Sequence, residues 1–482
     1  MPLKLYNTYS NRKEEFIPGQ KGKVKIYVCG PTVYDYIHIG NARPFIVFDV
    51  LRRFLKYRGY EVTYVMNLTD IDDRIIERSK NEGVDTEEIT EKYTEAFFED
   101  IDELGIERAD VHPKATDHVP EIIELIKKLI DEELAYYENG NVFYDVNRFR
   151  NYGKLSGKKI DELMAGARIE INEKKRNPLD FVLWKSQKPG EPAWESPWGL
   201  GRPGWHIECS AMSMKYLGKC FDIHAGGIDL VFPHHENEIA QSEGATKQKF
   251  VKYWLHNGYL QIEGEKMAKS LGNFRTVREV LTKYPGVVIR MFFLQKHYRS
   301  PIDFTLEGME AAKSATTRLN TFLNNLKRTL ENYDISNKKV KKEDLSNSEL
   351  EFLNNFEQKK SELIEAMEDD LNTPVALARL FEMVRETNKL LSKDKINENE
   401  KFLLSLAKKD FEEINAFFGI FDSKILITES NTTNELISLL IDIRDNLRSQ
   451  KQWGLADKIR DELSKLGIIL EDKSGKTNWR FK

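Results

Sequence analysis

The chain has little cysteine, no long apolar run and no excess of positive charge. Its three cysteines among 482 residues are too few and too scattered for a disulfide framework. No apolar run approaches the roughly 18 residues that a membrane span requires, so no membrane association is expected. The formal net charge of −5 gives no sign of a nucleic-acid partner, although a local basic face would suffice for one.

A dinucleotide-binding fingerprint and a secretory signal are also missing. No Gly-x-Gly-x-x-Gly follows the first apolar run, which excludes a dinucleotide oxidoreductase. The chain opens as Met1-Pro2-Leu3-Lys4 without the apolar core of a signal peptide, so a cytoplasmic location is expected. With 40% hydrophobic and 31% charged residues, the composition is that of a globular protein, and the length implies about three domains.

The first hundred residues alternate between strand-like and helix-like patterns. Lys25–Val28 and Glu61–Met66 have the apolar content of buried strands, and the segment 42–57 between them has helical spacing. A strand, helix and strand in this order predict a parallel sheet, and therefore an α/β domain whose first half spans residues 1–110.

Residues 111–203 break this alternation and predict an insertion. They contain an amphipathic helix over 121–133, a strand over 142–146 and an irregular stretch over 188–204 that is rich in proline, glycine and tryptophan. Strand and helix patterns resume over 204–303, which we interpret as the second half of the α/β domain.

The remainder of the chain is predicted to be helical. Residues 304–425 form a predicted all-α bundle, and a small terminal unit follows over 426–482. A polar cap at Asn372-Thr373 followed by Pro374 marks one helix start. The predicted long helices cover 308–333, 348–368, 374–392 and 400–418.

Two short motifs indicate nucleotide chemistry. His38-Ile39-Gly40-Asn41 follows the first apolar run and opens a helix, whereas Lys266-Met267-Ala268-Lys269-Ser270 follows a second apolar stretch. A helix N-terminus and two mobile ammonium groups are what the phosphates of ATP require. Each motif alone is also compatible with a helix cap or a solvated turn.

Metal-ligating residues are concentrated in the middle of the sequence. Five of the nine histidines lie between His206 and His256. His234 and Glu238 stand four residues apart and would share one face of a helix, and with two cysteines they would favour zinc. From cysteine statistics alone, however, small buried hydrophobic cysteines are the favoured interpretation, and we assign Cys220 to the core.

The segments around these motifs resemble the cysteinyl-tRNA synthetase family of class I aminoacyl-tRNA synthetases. The resemblance covers nearly the whole chain, and it is carried by the segments 27–35 (YVCGPTVYD), 204–212 (GWHIECSAM), 222–230 (DIHAGGIDL) and 456–463 (ADKIRDEL). It implies a class I Rossmann-type parallel-sheet catalytic domain with an insertion, then an all-α helical bundle and a small C-terminal domain.

The resemblance also implies a reaction and its participants. L-cysteine would be activated by ATP to cysteinyl-adenylate and transferred to the 3′ end of tRNA(Cys), with Mg²⁺ accompanying the ATP and the enzyme acting as a monomer. One zinc ion per chain would select the substrate thiolate, and the family's zinc ligands correspond to Cys29, Cys209, His234 and Glu238. Because of this correspondence, zinc binding replaces hydrophobic packing as the favoured interpretation of Cys29 and Cys209.

The motifs and the resemblance together give the remaining candidate site residues. The predicted catalytic residues are His38, Lys266 and Lys269. The predicted ATP-binding residues are His38, Gly40, Asn41, Asp229, His256, Lys266 and Lys269, and the predicted substrate-binding residues are Thr69, Trp205 and His224. For most of these the other interpretation is a cap, a turn or core packing.

Two positions depart from the general class I motifs. Asn41 stands where the fourth motif residue is usually histidine, and Ala268 stands where serine is usual. Asn41 keeps a hydrogen-bond donor without a charge, and Ala268 leaves both lysines in place. We expect these departures to change the rate or the loop motion and not to abolish function.

The end of the chain is basic in an otherwise acidic protein. Residues 441–482 contain ten lysines and arginines against seven acids. Trp453, Trp479 and Phe481 interleave with them, which suits stacking on unpaired anticodon bases, although a solvated helical surface with core aromatics is the other interpretation.

Two other functions compete with tRNA charging. A cysteine ligase that acts on a sugar amine would not need the helical residues after 304. A non-catalytic RNA-binding relative would not need His38, Lys269 and the four potential metal ligands together.

Overall fold

The structure is a computed structural model that describes residues 2–157, 175–262, 264–266, 275–331, 333, 340–421, 423–466, 468–473 and 476–481. The chain divides into two compact units, Met1–Phe421 and Asp422–Lys482. Among the described helices, none combines the length and the apolar character that crossing a membrane would require.

The strands fall in both units. In chain order they are β1 (Lys4–Asn7), β2 (Arg12–Glu15), β3 (Lys23–Val28), β4 (Glu61–Met66), β5 (Ala135–Glu138), β6 (Asn141–Tyr144), β7 (Phe181–Ser186), β8 (Gly201–Pro203), β9 (Phe221–Gly227), β10 (Val251–Asn257), β11 (Leu260–Ile262), β12 (Glu265–Lys266), β13 (Ile302–Asp303), β14 (Ile468–Lys473) and β15 (Lys476–Phe481).

The α-helices alternate with the strands at first and then follow one another without strands. In chain order they are α1 (Ile39–Tyr57), α2 (Asp73–Glu82), α3 (Thr86–Glu103), α4 (Val119–Asp131), α5 (Trp205–Leu217), α6 (Glu236–Thr246), α7 (Val277–Leu281), α8 (Gly286–Leu294), α9 (Leu306–Thr329), α10 (Asn347–Glu368), α11 (Thr373–Leu391), α12 (Glu398–Phe418), α13 (Ser423–Ser449) and α14 (Trp453–Lys465).

A four-stranded parallel sheet of order β10-β9-β3-β4 lies in the larger unit. Ile26 of β3 lies opposite Tyr64 of β4 and Ile223 of β9. Ile26 and Val28 are fully buried, as expected for a parallel strand that is covered on both faces. The predicted α/β fold with a parallel sheet is therefore confirmed, and the predicted strand 61–66 coincides with β4.

A separate antiparallel sheet of order β5-β6-β7-β8 lies in the chain between β4 and β9. Residues 188–204 were predicted to be irregular, but β8 near the end of this stretch pairs with β7, with Gly201 opposite Ser186 and Pro203 opposite Trp184. That expectation was wrong for β8. A three-residue edge strand that ends in proline leaves no hydrophobic period for sequence analysis to detect.

Four long helices, α9 to α12, follow β13 and match the predicted helical region. The predicted start near Asn372 is confirmed, because α11 begins at Thr373 with Asn372 as its N-cap and a proline in its first turn. The helix predicted to reach residue 333 ends earlier, at Thr329.

The smaller unit consists of α13, α14 and the antiparallel hairpin β14-β15. Its described core contains Ile437, Ile441, Leu463, Ile468 and Leu470.

A buried ion pair connects α1 to α8. The Asp49 carboxylate lies 2.8 Å from Nη2 of Arg290, and both side chains are about 1% exposed. Arg290 also donates to the Phe418 carbonyl at the end of α12. One guanidinium therefore joins the helix that follows β3, a helix of the second half of the α/β domain and the end of the helical bundle.

We expect Asp49→Ala to lower the free energy of unfolding by about 3 kcal/mol, since it leaves the Arg290 guanidinium buried without its carboxylate. Glu61→Gln is the control, because Glu61 pairs with Lys23 at 3.0 Å where the side chains of Lys23 and Glu61 are 47% and 68% exposed. Its effect should stay below about 1 kcal/mol. Denaturant unfolding of both variants checks this, and equal effects would contradict the role of the buried pair.

Candidate active site

A cavity of about 340 Å³ lies where three parallel strands end. Cys29 follows β3, Asp229 follows β9, and Gly258 follows β10, and all three line the cavity. The N-terminus of α1 closes another side with Gly40 and Asn41. Carboxyl ends of parallel strands are where open α/β sheets bind their ligands.

His38 is the N-cap of α1 and lines the cavity. Its Nδ1 accepts a hydrogen bond from the Asn41 backbone N–H at 3.1 Å, and Asn41 Oδ1 accepts from the His38 backbone N–H at 3.2 Å. Because Nδ1 is an acceptor, the neutral ring carries its proton on Nε2. The capping interpretation is correct, and the cap itself fixes the tautomer that can donate to a ligand.

The fourth motif position thus has a local function. The Asn41 side chain completes the capping box at the start of α1, so its carbonyl oxygen is occupied by the backbone. Pro44, in the same helix, has no N–H and cannot donate to the Gly40 carbonyl. At the end of α1 that faces the cavity, the polar backbone groups are therefore held in place by the hydrogen bonds between His38 and Asn41.

Four potential metal ligands come together beside the cavity. Ligand atoms of Cys29, Cys209, His234 and Glu238 all lie within 4.8 Å of one another. His234 Nε2 is 3.1 Å from Glu238 Oε1, and Cys29 Sγ is 3.8 Å from the same oxygen. Each of the four side chains is buried. The predicted set is thus one that can hold a metal ion.

The pKa values of this cluster are displaced in opposite directions. A hydrogen bond with Cys29 lowers the pKa of Cys209 to about 6, with His234 acting in the same direction. Burial raises the pKa of Cys29 well above its usual value. Burial also raises the pKa of Glu238, but His224 and His234 outweigh it and lower that pKa to about 2.

His234 supplies a compensating positive charge next to Cys209 and Glu238. Burial lowers its pKa, but Cys209 and Glu238 outweigh burial and raise the pKa to about 10. Two thiols, an imidazole and a carboxylate are ligand types that zinc takes in proteins, and here they converge on one point. The donors present therefore fit a metal ion.

A second grouping overlaps the first. Cys29 and Glu238 also form a set with His224 and His235 whose ligand atoms lie within the same limit. Here His224 Nε2 is 2.9 Å from Glu238 Oε2, but His235 Nε2 is 4.0 Å from Glu238 Oε1. His235 Nδ1 lies 2.8 Å from His256 Nε2, which ties this ring to the histidine behind it. The second grouping contains one thiol and is therefore less suited to a thiophilic metal.

Three predicted contact residues lie behind the cavity wall and are not among its described lining residues. Thr69 donates to Glu208 Oε2 at 3.1 Å. His224 contacts Glu238, and His256 Nδ1 lies 2.8 Å from Thr8 Oγ1. Their direct binding roles stay predictions, and in the structure each supports a neighbouring group. Trp205, by contrast, lines the cavity, with its ring 4.4 Å from that of His234.

The lysine motif falls mostly outside the described residues. Lys266 is the last residue of β12, but its side chain is not described, and Lys269 lies in the undescribed segment 267–274. The strand β12 pairs with β11, whose first residue, Leu260, lines the cavity.

Part of the cavity wall was not predicted from the sequence. Arg74 lines it and donates to Asp72 Oδ1 at 2.7 Å and to Thr32 Oγ1 at 3.0 Å, with its guanidinium 5.0 Å from the Tyr34 ring. Tyr34 and Thr32 lie within the quoted segment 27–35, but nothing in the sequence singles out Arg74. The assignment of Cys220 to the core was wrong, since this residue is exposed just before β9.

Three family models match the chain in order. The model described as tRNA synthetases class I (C) catalytic domain matches residues 15–314. A DALR domain matches residues 362–422, and the Cysteinyl-tRNA ligase anticodon binding domain matches residues 438–480.

Curated relatives match over their full length. A cysteine–tRNA ligase of Carboxydothermus hydrogenoformans is 51% identical over 481 residues, which covers 99% of this chain and 100% of the relative. A cysteine–tRNA ligase of Thermococcus onnurineus is 48% identical over 480 residues, with coverage of 100% and 99%.

Solved structures show the same fold at low identity. A Mycobacterium tuberculosis methionyl-tRNA synthetase in complex with methionyl-adenylate has a TM-score of 0.61 at 14% identity, covering 82% of this chain and 90% of that one. An Agrobacterium radiobacter LeuRS in a ternary complex with tRNA has a TM-score of 0.62 at 12% identity, with coverage of 84% and 85%. These similarities support the fold alone.

We expect Cys209→Ser to lose bound metal. Removing a thiolate ligand should weaken metal affinity by more than the ~10–100-fold that substituting an outer-shell partner costs. Elemental analysis after dialysis, with chelator competition, measures this. Cys220→Ser is the matched control because Cys220 is exposed and outside the cluster. Equal metal content in the two variants would show that the cluster is not the binding site.

Proposed function

The chain belongs to the cysteinyl-tRNA ligase family, and from that membership we propose that it joins L-cysteine to the 3′ end of tRNA(Cys) with consumption of ATP. The observation that carries this proposal is a buried cluster with two cysteines that adjoins a cavity at the N-terminus of α1. A ligase acting on a sugar amine is disfavoured, since such an enzyme has no use for the anticodon-binding domain matched over residues 438–480.

The reaction requires no protein nucleophile. The cysteine carboxylate attacks the α-phosphorus of ATP, which forms cysteinyl-adenylate and releases pyrophosphate. A ribose hydroxyl at the 3′ end of the tRNA then attacks the acyl carbon, and AMP leaves. The protein contributes by positioning and by stabilising the charge that develops on phosphate oxygens.

The N-terminus of α1 is the proposed phosphate site. His38 would donate from Nε2 to a phosphate oxygen, because its Nδ1 is held by the Asn41 N–H. Gly40 and Asn41 line the same wall, where the positive end of the helix dipole favours an anion. Asp229 lines the same cavity and would accept from the ribose hydroxyls.

The rest of the proposed ATP site rests on the sequence. Lys266 and Lys269 would hold the β- and γ-phosphates, and Mg²⁺ would accompany the ATP. His256 is retained as an ATP-site residue that acts through its contact with His235.

Cys29, Cys209, His234 and Glu238 would hold one zinc ion. When bound, zinc supplies a soft ligand site that suits the sulfur of cysteine and not the hydroxyl oxygen of serine. His224 holds Glu238 Oε2 at 2.9 Å, which leaves Oε1 directed towards His234 and Cys29. Trp205 and Thr69 would then flank the bound amino acid, Trp205 from the cavity wall and Thr69 through Glu208.

The proposed domain boundaries follow the changes in pattern along the sequence. We assign residues 1–110 and 204–303 to the two catalytic halves, 111–203 to the insertion, 304–425 to a tRNA-binding helical bundle and 426–482 to anticodon binding. The antiparallel sheet β5-β6-β7-β8 supports the insertion, since its strands pair with one another and not with the parallel sheet. A monomer in the cytoplasm, where tRNA is charged for translation, is the proposed state.

In pyrophosphate exchange, we expect activation that depends on cysteine, with serine disfavoured by roughly 10⁴ or more, since soft-ligand recognition rejects the hydroxyl. Cys209→Ser should lower this ratio, and a zinc chelator should reduce exchange and the charging of bulk tRNA. Cys220→Ser serves as the control. Unchanged discrimination between cysteine and serine in Cys209→Ser would rule out the proposed role of the cluster.

We expect Trp453→Ala to raise the KM for tRNA by about tenfold through loss of base stacking, without a change in pyrophosphate exchange. Trp453 is 55% exposed, whereas Trp479 packs against the core of the smaller unit. Leu455→Ala is the matched control, because Leu455 is on the same helix and 53% exposed. If both variants charge tRNA with the same KM as the unaltered protein, Trp453 does not contact RNA.

A further inference from the structure

Arg43 is a fully buried arginine one turn into α1. Its Nη1 donates to the carbonyls of Gly258 at 2.6 Å and Tyr259 at 3.0 Å. Its Nη2 donates to the carbonyls of Ser300 at 2.6 Å and His297 at 3.3 Å. In the part of the chain that the structure describes, no carboxylate pairs with this guanidinium, so four backbone dipoles compensate the charge.

The segments that Arg43 joins are two walls of the cavity. Gly40, Asn41 and Pro44, on either side of Arg43 in α1, line one wall, and the segment 257–260 lines the other. Arg43 is not itself among the described lining residues. It therefore lies behind both walls and connects them, without being placed to touch a ligand.

The second wall is packed closely against the backbone behind it. The Gly258 N–H donates to the Tyr298 carbonyl at 2.8 Å. A Cβ atom on Gly258 would lie 2.6 Å from the Arg299 carbonyl oxygen and 2.7 Å from that of Ser300. Only glycine permits this approach, and it brings the acceptors from both segments within reach of one side chain.

The segment 297–300, behind this wall, is held in place by Asp370, which lies between α10 and α11. Asp370 is fully buried and accepts from the Tyr298 hydroxyl at 2.7 Å and from Arg299 Nε at 2.8 Å. It also accepts from the Tyr6 backbone N–H at 2.8 Å. Arg43 therefore anchors α1 to a segment that is itself held in place.

We propose that Arg43 is a positioning residue that sets the separation between the α1 wall and the 257–260 wall of the nucleotide pocket. This inference rests on the proposed binding of ATP in that cavity. The physical reason is directional: a planar guanidinium can donate to carbonyls of two segments at once, whereas an ammonium on a flexible stem cannot span them in the same geometry. Loss of the hydrogen bonds from Arg43 to the four carbonyls would misplace the phosphate-binding end of α1 relative to the opposite wall.

A purely structural role predicts a different result. Burial without a carboxylate partner makes Arg43 sensitive to substitution in any case, so lower stability alone proves nothing. A positioning role for the nucleotide predicts that the KM for ATP rises while the KM for cysteine, whose thiol is placed at the cluster, does not. A structural role predicts that both constants change together or not at all.

The test measures both KM values in cysteine-dependent pyrophosphate exchange for Arg43→Lys, together with thermal unfolding. Arg52→Lys is the matched control. Arg52 is on the same helix, is 4% exposed and donates to the Arg108 carbonyl at 2.7 Å, but Arg108 is not among the described lining residues, whereas Gly258 and Tyr259, which Arg43 contacts, are. We expect Arg43→Lys to raise the KM for ATP by about tenfold or more with the KM for cysteine within about twofold. Arg52→Lys should lower the unfolding temperature and leave both constants near their original values.

Gly258→Ala gives an independent measurement if Arg43→Lys does not fold. Its Cβ displaces the second wall from the backbone behind it while leaving Arg43 in place, and the same selective rise in the KM for ATP is expected. A KM for ATP that stays unchanged in the folded variants, or that rises equally with the KM for cysteine, overturns the proposal. Failure of the proposed function would look different, because the unaltered protein would then show no cysteine-dependent exchange.

Discussion

The Glu238 carboxylate is the group on which the geometry of the site depends. It is fully buried, and its two oxygens are divided between partners from different elements. Oε2 lies 2.9 Å from His224 of β9, while Oε1 lies 3.1 Å from His234 in the turn before α6. A buried carboxylate is tolerated only when its charge is compensated, so the fold must bring these imidazoles to it.

The histidines around Glu238 form a packed group as well as a polar one. The His224 ring stacks on Trp254 at 4.6 Å with an interplanar angle of 20°. His235 lies 4.5 Å from His224 and 5.0 Å from His256, measured between ring centroids. Burial lowers the pKa of His256 to about 3 and that of His235 well below its usual value, so these two rings are neutral. Neutral rings pack as aromatic side chains, which lets an apolar layer support a charged cluster.

The elements with regular patterns were predicted well from the sequence. The strand 61–66 was predicted with its observed bounds, and the helix predicted over 42–57 begins at Ile39 because His38 supplies the cap. The short edge strand β8 was missed because three residues carry no period. Cys220 was wrongly assigned to the core because residue type alone does not show where β9 begins.

Some residues of the site could be predicted from the sequence and others could not. The four cluster residues were assigned as metal ligands because of the resemblance to the family, since cysteine statistics alone favoured small buried hydrophobic residues. Arg43 and Arg74 were missed, because arginine is common and their contacts depend on pairings across the fold. The orientation of Glu238 is likewise a tertiary property, because it follows from its contact with His224 of β9. The tautomer of His38, by contrast, follows from a local contact with Asn41.

Cys29 belongs to both the cluster and the cavity. It contributes Sγ to the cluster and lines the cavity, so the chain from Cys29 to His38 sets the separation between the cluster and the N-terminus of α1. Two hydrogen bonds hold this segment against residues 67–69, which follow β4. The Gly30 N–H donates to Asn67 Oδ1 at 2.9 Å, and the Val33 N–H donates to the Thr69 carbonyl at 3.1 Å.

The close fit at Gly30 makes that separation rigid. A Cβ at this position would lie 1.8 Å from the Asn67 carbonyl oxygen, so the segment lies directly against the loop that follows β4. In a reaction without a protein nucleophile, the rate depends on holding a carboxylate in line with a phosphorus atom, and misplacement by about 1 Å can cost ~10²-fold. The hydrogen bonds between 29–38 and 67–69 act on that distance, and one of them uses the backbone carbonyl of Thr69, which thus holds the segment in place without lining the cavity.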